Sequence, residues 1–284
     1  MRRALFALAA AVALSLPAVS VRAAQPLPDF DQGIAVPEVL KAAHESAAAT
    51  LGVQRVREFP SAGSRAIFIL KSPGVCDGCA ESVSKMLFTA GIHSQILGPD
   101  QLKKAVGPRD VVVIGGSEPD ADGEWTVKKD LVKAGAFDWL KEHIANGGRY
   151  IGICAGAYLT EKWIDEDADE RGLDIFPGKV DNYIEGKKTK YILTRWPELG
   201  IKRYVYFQDG PAFYPAAGAD ISVLGRFTRD GTVAAAIFPY GKGKVGVLSP
   251  HLEADETWAK QAHLEDPDGS DYDLGLSVFR KVIE

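Results

Sequence analysis

Val111-Val112-Val113-Ile114 is apolar at every position and runs straight into Gly115-Gly116. Successive side chains of a strand face opposite ways, so a strand apolar throughout needs cover on both sides. Comparable buried strands are expected over Arg65–Leu70, Ile92–Leu97 and Arg149–Ile153. Helical stretches fall between them, over about Ala80–Ala90, Pro99–Ala105 and Ala134–Ala145, the last closed by Asn146-Gly147-Gly148. Strands alternating with helices in this way imply a mostly parallel sheet with helices on both faces. Beyond residue 170 strands dominate, near Leu173–Ile184, Lys202–Phe207, Asp220–Thr228, Val233–Phe238 and Lys244–Leu248, before a final helix over Tyr272–Ile283. The pattern predicts an α/β chain: a flavodoxin-like three-layer (αβα) sandwich whose mostly parallel sheet carries an antiparallel extension.

The N-terminus reads differently. Arg2 and Arg3 precede the apolar run Ala4–Leu16, followed by Pro17 and small residues up to Val21-Arg22-Ala23-Ala24. A basic start, a short apolar stretch and a small-residue end predict a secretory signal peptide over residues 1–23. The run falls short of the ~20 residues that span a bilayer, so no membrane span is expected. Residues 24–60 read as a leader with one short helix from about Pro37 to Thr50, and residues 61–284 as the main domain. The expected location is therefore outside the cytoplasm, periplasmic or secreted. Without Arg2, Arg3 and Arg22 the 33 basic residues become 30 against 38 acidic ones, a net charge of −8. An acidic protein with no lysine or arginine cluster is a poor partner for nucleic acid.

Three cysteines are an odd number for a compartment that permits disulfides. Cys76 and Cys79, in Val-Cys-Asp-Gly-Cys, are spaced for a short local disulfide, which leaves Cys154 as the unpaired thiol. A redox role for the same pair is the competing reading, against which Asp-Gly between the cysteines reads as a turn. Zinc needs a second ligand pair that the sequence does not show, so no metal and no cofactor are expected. Asp266-Pro-Asp268-Gly-Ser270-Asp271 is only loosely like a calcium loop, with Ser277 at the position that needs a bidentate Glu. Ser270 and Asp271 are better read as caps of the final helix.

Cys154 follows an apolar strand and is flanked at two residues' distance by Gly152 and Gly156. A G-x-C-x-G turn between strand and helix lifts a nucleophile out of the sheet, and only very small neighbours permit so tight a backbone. A helix starting at Ala155 is expected to add backbone N–H groups and a dipole end that favours thiolate. Sites in open α/β sheets lie at the carboxyl ends of the strands, where Gly115-Gly116, Cys154 and the residues after Leu248 all fall. The last apolar strand empties into Ser249-Pro250-His251-Leu252-Glu253. A His and a Glu two residues apart in extended chain point the same way. His251 is thus the candidate base and Glu253 its orienter, with the amides of Gly115, Gly116 and Ala155 as candidate oxyanion donors.

These segments resemble the class I glutamine amidotransferase-like superfamily, whose triad is Cys, His and Glu in that order. The closer resemblance is to the branch named for the N-terminal domain of some biotin-protein ligases. It is carried by Val113-Ile114-Gly115-Gly116, by Gly152-Ile153-Cys154-Ala155-Gly156-Ala157-Tyr158, by Tyr206-Phe207-Gln208-Asp209-Gly210-Pro211-Ala212-Phe213, and by Gly241 through Glu253. The resemblance implies a cysteine-dependent hydrolase, amidase-like, acting on an amide or acyl bond of a small-molecule or peptide substrate. Glutamine-using members follow the cysteine with a Gly-His-Gln run, whereas Ala155-Gly156-Ala157-Tyr158 stands here, which argues against glutaminase activity. No synthetase domain that would receive ammonia is read in the chain, and no biotin-ligase catalytic domain.

Tyr158, Phe207, Gly210 and Phe213 are the candidate substrate-binding residues, with core packing around Gly210-Pro211 as the alternative. A non-catalytic small-molecule or peptide-binding module on the same fold is the competing functional reading.

Overall fold

The computed structural model describes residues 65–117, 124–165, 170–184 and 189–284. The segments expected as a signal peptide and as a leader with one helix, residues 1–60, lie outside the described residues. Strands β1 (Ile67–Leu70), β2 (Gln95–Leu97), β3 (Val111–Ile114) and β4 (Arg149–Ile153) alternate with helices α1 (Cys79–Thr89), α2 (Pro99–Ala105), α3 (Glu124–Lys133) and α4 (Phe137–Ala145). The single helical turn α5 (Ala155–Tyr158) follows β4, and then comes a small hairpin of β5 (Trp163–Asp165) and β6 (Glu170–Arg171). The rest is β7 (Gly178–Asn182), β8 (Thr189–Trp196), β9 (Ile201–Gln208), β10 (Pro211–Pro215), β11 (Ser222–Phe227), β12 (Val233–Tyr240) and β13 (Gly243–Leu248), closed by α6 (Glu256–Gln261) and α7 (Tyr272–Ile283).

The main sheet runs β2-β1-β3-β4-β13-β12-β11-β8-β9, with β10 and β7 branching from β12. The first five strands are parallel and the remainder antiparallel. This is the flavodoxin-like order with an antiparallel extension. The uniform apolarity of β3 has a direct cause. Val112 and Ile114 pack toward Leu102 of α2, Val127 and Leu131 of α3, and Leu140 and Ile144 of α4. Val111 and Val113 pack toward Val83 and Met86 of α1 and toward Leu274, Val278 and Phe279 of α7. Both faces are covered, so neither can be polar.

Three expectations are corrected. The helix expected over Ala134–Ala145 is α4 alone, and α3 precedes it. Gly135, at φ 60°, ends α3, with Gly135 N–H bonded to Val132 O and Ala136 N–H to Leu131 O. That pairing is the usual glycine stop of a helix. The strand expected over Leu173–Ile184 shortens to β7, because Pro177 precedes it and donates no backbone hydrogen bond. Finally, the helix at Ala155 is one turn only. It supplies local N–H groups but too few aligned peptides for a macrodipole.

Candidate active site

The cysteine elbow is as tight as its glycines demand. Cys154 has φ 51° and ψ −109°, a backbone conformation that costs energy for any residue with a side chain. A Cβ on Gly152 would lie 2.4 Å from the Gly156 carbonyl oxygen, and one on Gly156 would lie 2.2 Å from the Ile114 oxygen. Neither position has room for a methyl group. The Cys154 N–H is bonded to Leu248 O at 2.9 Å, which ties the elbow to the end of β13. That same end leads into the histidine loop.

The backbone N–H of His251 donates to Tyr206 O at 2.9 Å, anchoring the loop to β9. Its Nδ1 lies 2.7 Å from Glu253 Oε1, which leaves Nε2 as the ring nitrogen for another partner. Cys154 is near enough to His251 to act on its charge, and it raises the His251 pKa. The sulfur also lies 3.5 Å from the Gln208 carbonyl oxygen. Exposure is 8 % for Cys154, 3 % for His251 and 0 % for Glu253, so the three groups interact with little water between them. Burial alone would lower the pKa of His251. The neighbouring Glu253 carboxylate and Cys154 outweigh that and raise it to about 10. The second carboxylate oxygen, Glu253 Oε2, is buried with no hydrogen-bond partner, so the charge of Glu253 is answered chiefly at the imidazole.

Gly115 and Gly116 flank this arrangement. The Gly115 carbonyl accepts from Gly156 N–H at 3.1 Å, and Gly116 lies beside His251, where a Cβ would meet the ring Cε1 at 2.8 Å. Ala155 opens the helical turn, so its N–H has no intrahelical acceptor. Cys76 and Cys79 are joined, their Cα atoms 5.4 Å apart, and Cys154 is the free thiol. Among the described residues no group of three or more His, Cys, Asp or Glu side chains is arranged to hold a metal ion, and no helix is long and apolar enough to cross a membrane.

The expected substrate residues divide. Tyr158 stays near the site, its hydroxyl bonded to Asn182 Oδ1 and 3.4 Å from Asp209 O. Phe207 and Phe213 are corrected to core residues. Phe207 is sealed against Phe227 and Tyr183, and Phe213 against Phe176. Both lack a free face for a ligand. Gly210 is a close backbone approach: a Cβ there would lie 2.3 Å from Ser249 O. Two participants escaped the sequence reading. Gln208 contributes its carbonyl, which no residue pattern reveals. Trp258 packs its ring 5.1 Å from that of His251 and anchors its Nε1 on Ser82 Oγ at 3.0 Å. A tryptophan on a short helix gives no sign of such a role.

With the geometry in place, the family is decided by a match over residues 128–273 to the model for "Biotin-protein ligase, N terminal". The chain belongs to this family. The matched stretch runs from α3 to α7 and contains Cys154, His251 and Glu253. Members of a second group are also similar. The imidazole glycerol phosphate synthase subunit HisH of Listeria monocytogenes is 27 % identical over 190 residues, covering 60 % of this chain and 87 % of that one. Its counterpart from Caldanaerobacter subterraneus is 34 % identical over 80 residues, which is 28 % of this chain and 38 % of that one. Among solved structures, a glutamine amidotransferase superposes with a TM-score of 0.53 at 18 % identity, covering 70 % of this chain and all of that one. The fold of this family member is therefore glutamine amidotransferase-like.

Proposed function

We propose that this protein is an exported cysteine-dependent hydrolase of the amidase type, acting on an amide or acyl bond of a small molecule or peptide. The observation that carries the reading is His251, paired at Nδ1 with the buried Glu253 carboxylate and electrostatically coupled to Cys154 at the end of the parallel strands. In this reading the Cys154 sulfur attacks the carbonyl carbon while His251 holds the thiol proton. Glu253 orients the ring and stabilises its charged form. The amides of Ala155 and Gly116, with Gly115 shaping the loop, receive the negative oxygen of the tetrahedral intermediate. His251 then returns the proton to the leaving group, and water hydrolyses the thioester along the reverse path.

The family membership, the amidotransferase fold and the similarity to the HisH subunits support an amidase- or amidotransferase-type function. Glutamine itself is not the favoured substrate, since Ala155-Gly156-Ala157-Tyr158 replaces the glutamine-holding run. Export rests on the N-terminal pattern of residues 1–23. The test is selective alkylation combined with activity profiling. Iodoacetamide is expected to modify Cys154 faster than an ordinary thiol, and Cys154→Ala to abolish turnover across an amide and ester library. Alkylation at the rate of an ordinary thiol, with turnover unchanged in Cys154→Ala, would refute the reading.

A further inference from the structure

The Cys76–Cys79 loop lies against the site. The Cys76 N–H donates to Gly116 O at 3.0 Å, and Val75 forms an antiparallel bridge with Ser117. A Cβ on Gly115 would lie 3.4 Å from Cys79 Cβ. One on Gly116 would lie 3.6 Å from Cys76 Sγ as well as 2.8 Å from His251 Cε1. The Gly115–Ser117 loop is thus held between the cysteine loop and the histidine. On its far side the cysteine loop is itself anchored, with Gly74 N–H bonded to Asp130 Oδ2 at 2.9 Å and the Gly74 backbone pressed on Thr126 and Val127 of α3. Within the loop, the Cys79 N–H bonds to Cys76 O at 3.2 Å and Gly78 takes φ 78° to enter α1.

Two consecutive glycines have more backbone freedom than any other pair of residues, and nothing in their own side chains can fix their peptide planes. An oxyanion donor has to be held to within about half an ångström to be effective. The required rigidity must come from outside the glycine pair, and the neighbour that bonds Gly116 is the disulfide loop. We propose that the Cys76–Cys79 disulfide is a positioning element for acyl transfer: it makes the loop a fixed rail that sets the Gly116 backbone beside His251. This rests on the reading of Cys154 as the nucleophile. The disulfide takes no part in bond making, and its action is through Gly115-Gly116.

The experiment uses two small probes that share the nucleophile but differ in the transition state. Iodoacetamide is displaced at a saturated carbon, where no oxyanion forms. With p-nitrophenyl acetate, the sulfur–acyl bond forms through a tetrahedral oxyanion and the ester bond breaks, releasing p-nitrophenolate. In Cys76→Ser/Cys79→Ser the burst of p-nitrophenolate is expected to slow at least about tenfold, while alkylation of Cys154 stays within about twofold of the unaltered protein. Preserved alkylation also reports an intact elbow. Should the double variant not fold, the unaltered protein is treated with a phosphine, which is oxidised as the disulfide opens to two thiols. The Cys154 adduct is then counted by peptide mapping, and the same split is expected. Equal loss with both probes means a merely structural bridge, and no loss with either means an irrelevant one; each overturns the proposal. If the unaltered protein shows neither rapid alkylation nor a burst, the nucleophile reading fails first and takes the proposal with it.

Discussion

His251 Nδ1 and Glu253 Oε1 meet at 2.7 Å inside the protein, on a loop whose backbone is pinned to β9 through the Tyr206 carbonyl. The ring packs beside Trp258 and Tyr206, which block its rotation. A buried carboxylate that meets an imidazole in this way fixes the tautomer and holds a proton on the ring. Glu253→Gln keeps the shape and removes the charge. The expected outcome is slower alkylation of Cys154 by iodoacetamide at pH 7.5, roughly tenfold for each unit by which the His251 pKa falls below that pH. An unchanged rate in a folded Glu253→Gln protein would show that the carboxylate does not govern the pair.

The same coupling ties stability to pH. The His251 pKa rises from 6.5 to about 10 in the folded protein. The folded state therefore retains a proton that the unfolded chain has released, and this contribution is complete below pH 6.5. It declines as pH rises from there and is gone above about pH 10. The urea midpoint should fall between pH 7 and 10, and fall less steeply in His251→Gln. Because tyrosines and lysines titrate in the same window, the difference between the two profiles is the quantity to read. Parallel profiles would contradict the assignment.

The elbow offers a steric test. In Gly156→Ala the new methyl group would sit 2.2 Å from the Ile114 oxygen, which belongs to the central strand β3 and cannot yield by a side-chain rotation. Overpacking of this kind costs ~1–3 kcal/mol or more. A lowered thermal midpoint is expected together with loss of rapid Cys154 alkylation. A variant as stable and as reactive as the parent would mean that the elbow is looser than its glycines suggest.

Much of this was legible in the sequence, for reasons that particular residues make plain. Val111–Ile114 declared a doubly covered strand because both its faces are apolar, and Gly152 and Gly156 declared the elbow because only hydrogen fits there. The His251–Glu253 contact followed from two-residue spacing in extended chain. What escaped was set by tertiary context. Val127 and Leu131 of α3 form only a narrow apolar stripe between charged residues, and β8 mixes polar with apolar positions because most of it is only half-buried. Phe207 and Phe213 looked like pocket aromatics because aromatic residues serve cores and pockets alike. The burial that separates those roles is a property of the assembled sheet.

Asp271 supplies a last test, away from the site. It stands at the start of α7, where a carboxylate is expected to cap, yet its side chain makes no capping bond. Instead it is buried, 4 % exposed, with Oδ1 lacking a hydrogen-bond partner and Arg203 Nη1 3.7 Å away. Burial raises its pKa from 3.8 to about 8; Arg203 opposes the shift, and Asp266, Asp268 and Asp273 add to it. The folded protein therefore favours the protonated carboxyl, and stability from this group is full below pH 3.8 and lost as pH rises through about 8. Asp271→Asn removes the charge while keeping the volume. The variant should match the parent near pH 4 and exceed it by about 1–3 kcal/mol at pH 8, the order of the cost of an unsatisfied buried polar group. Denaturant melts at the two pH values decide the matter. A variant less stable than the parent at pH 8 would mean that the Arg203 ion pair outweighs the cost of burial.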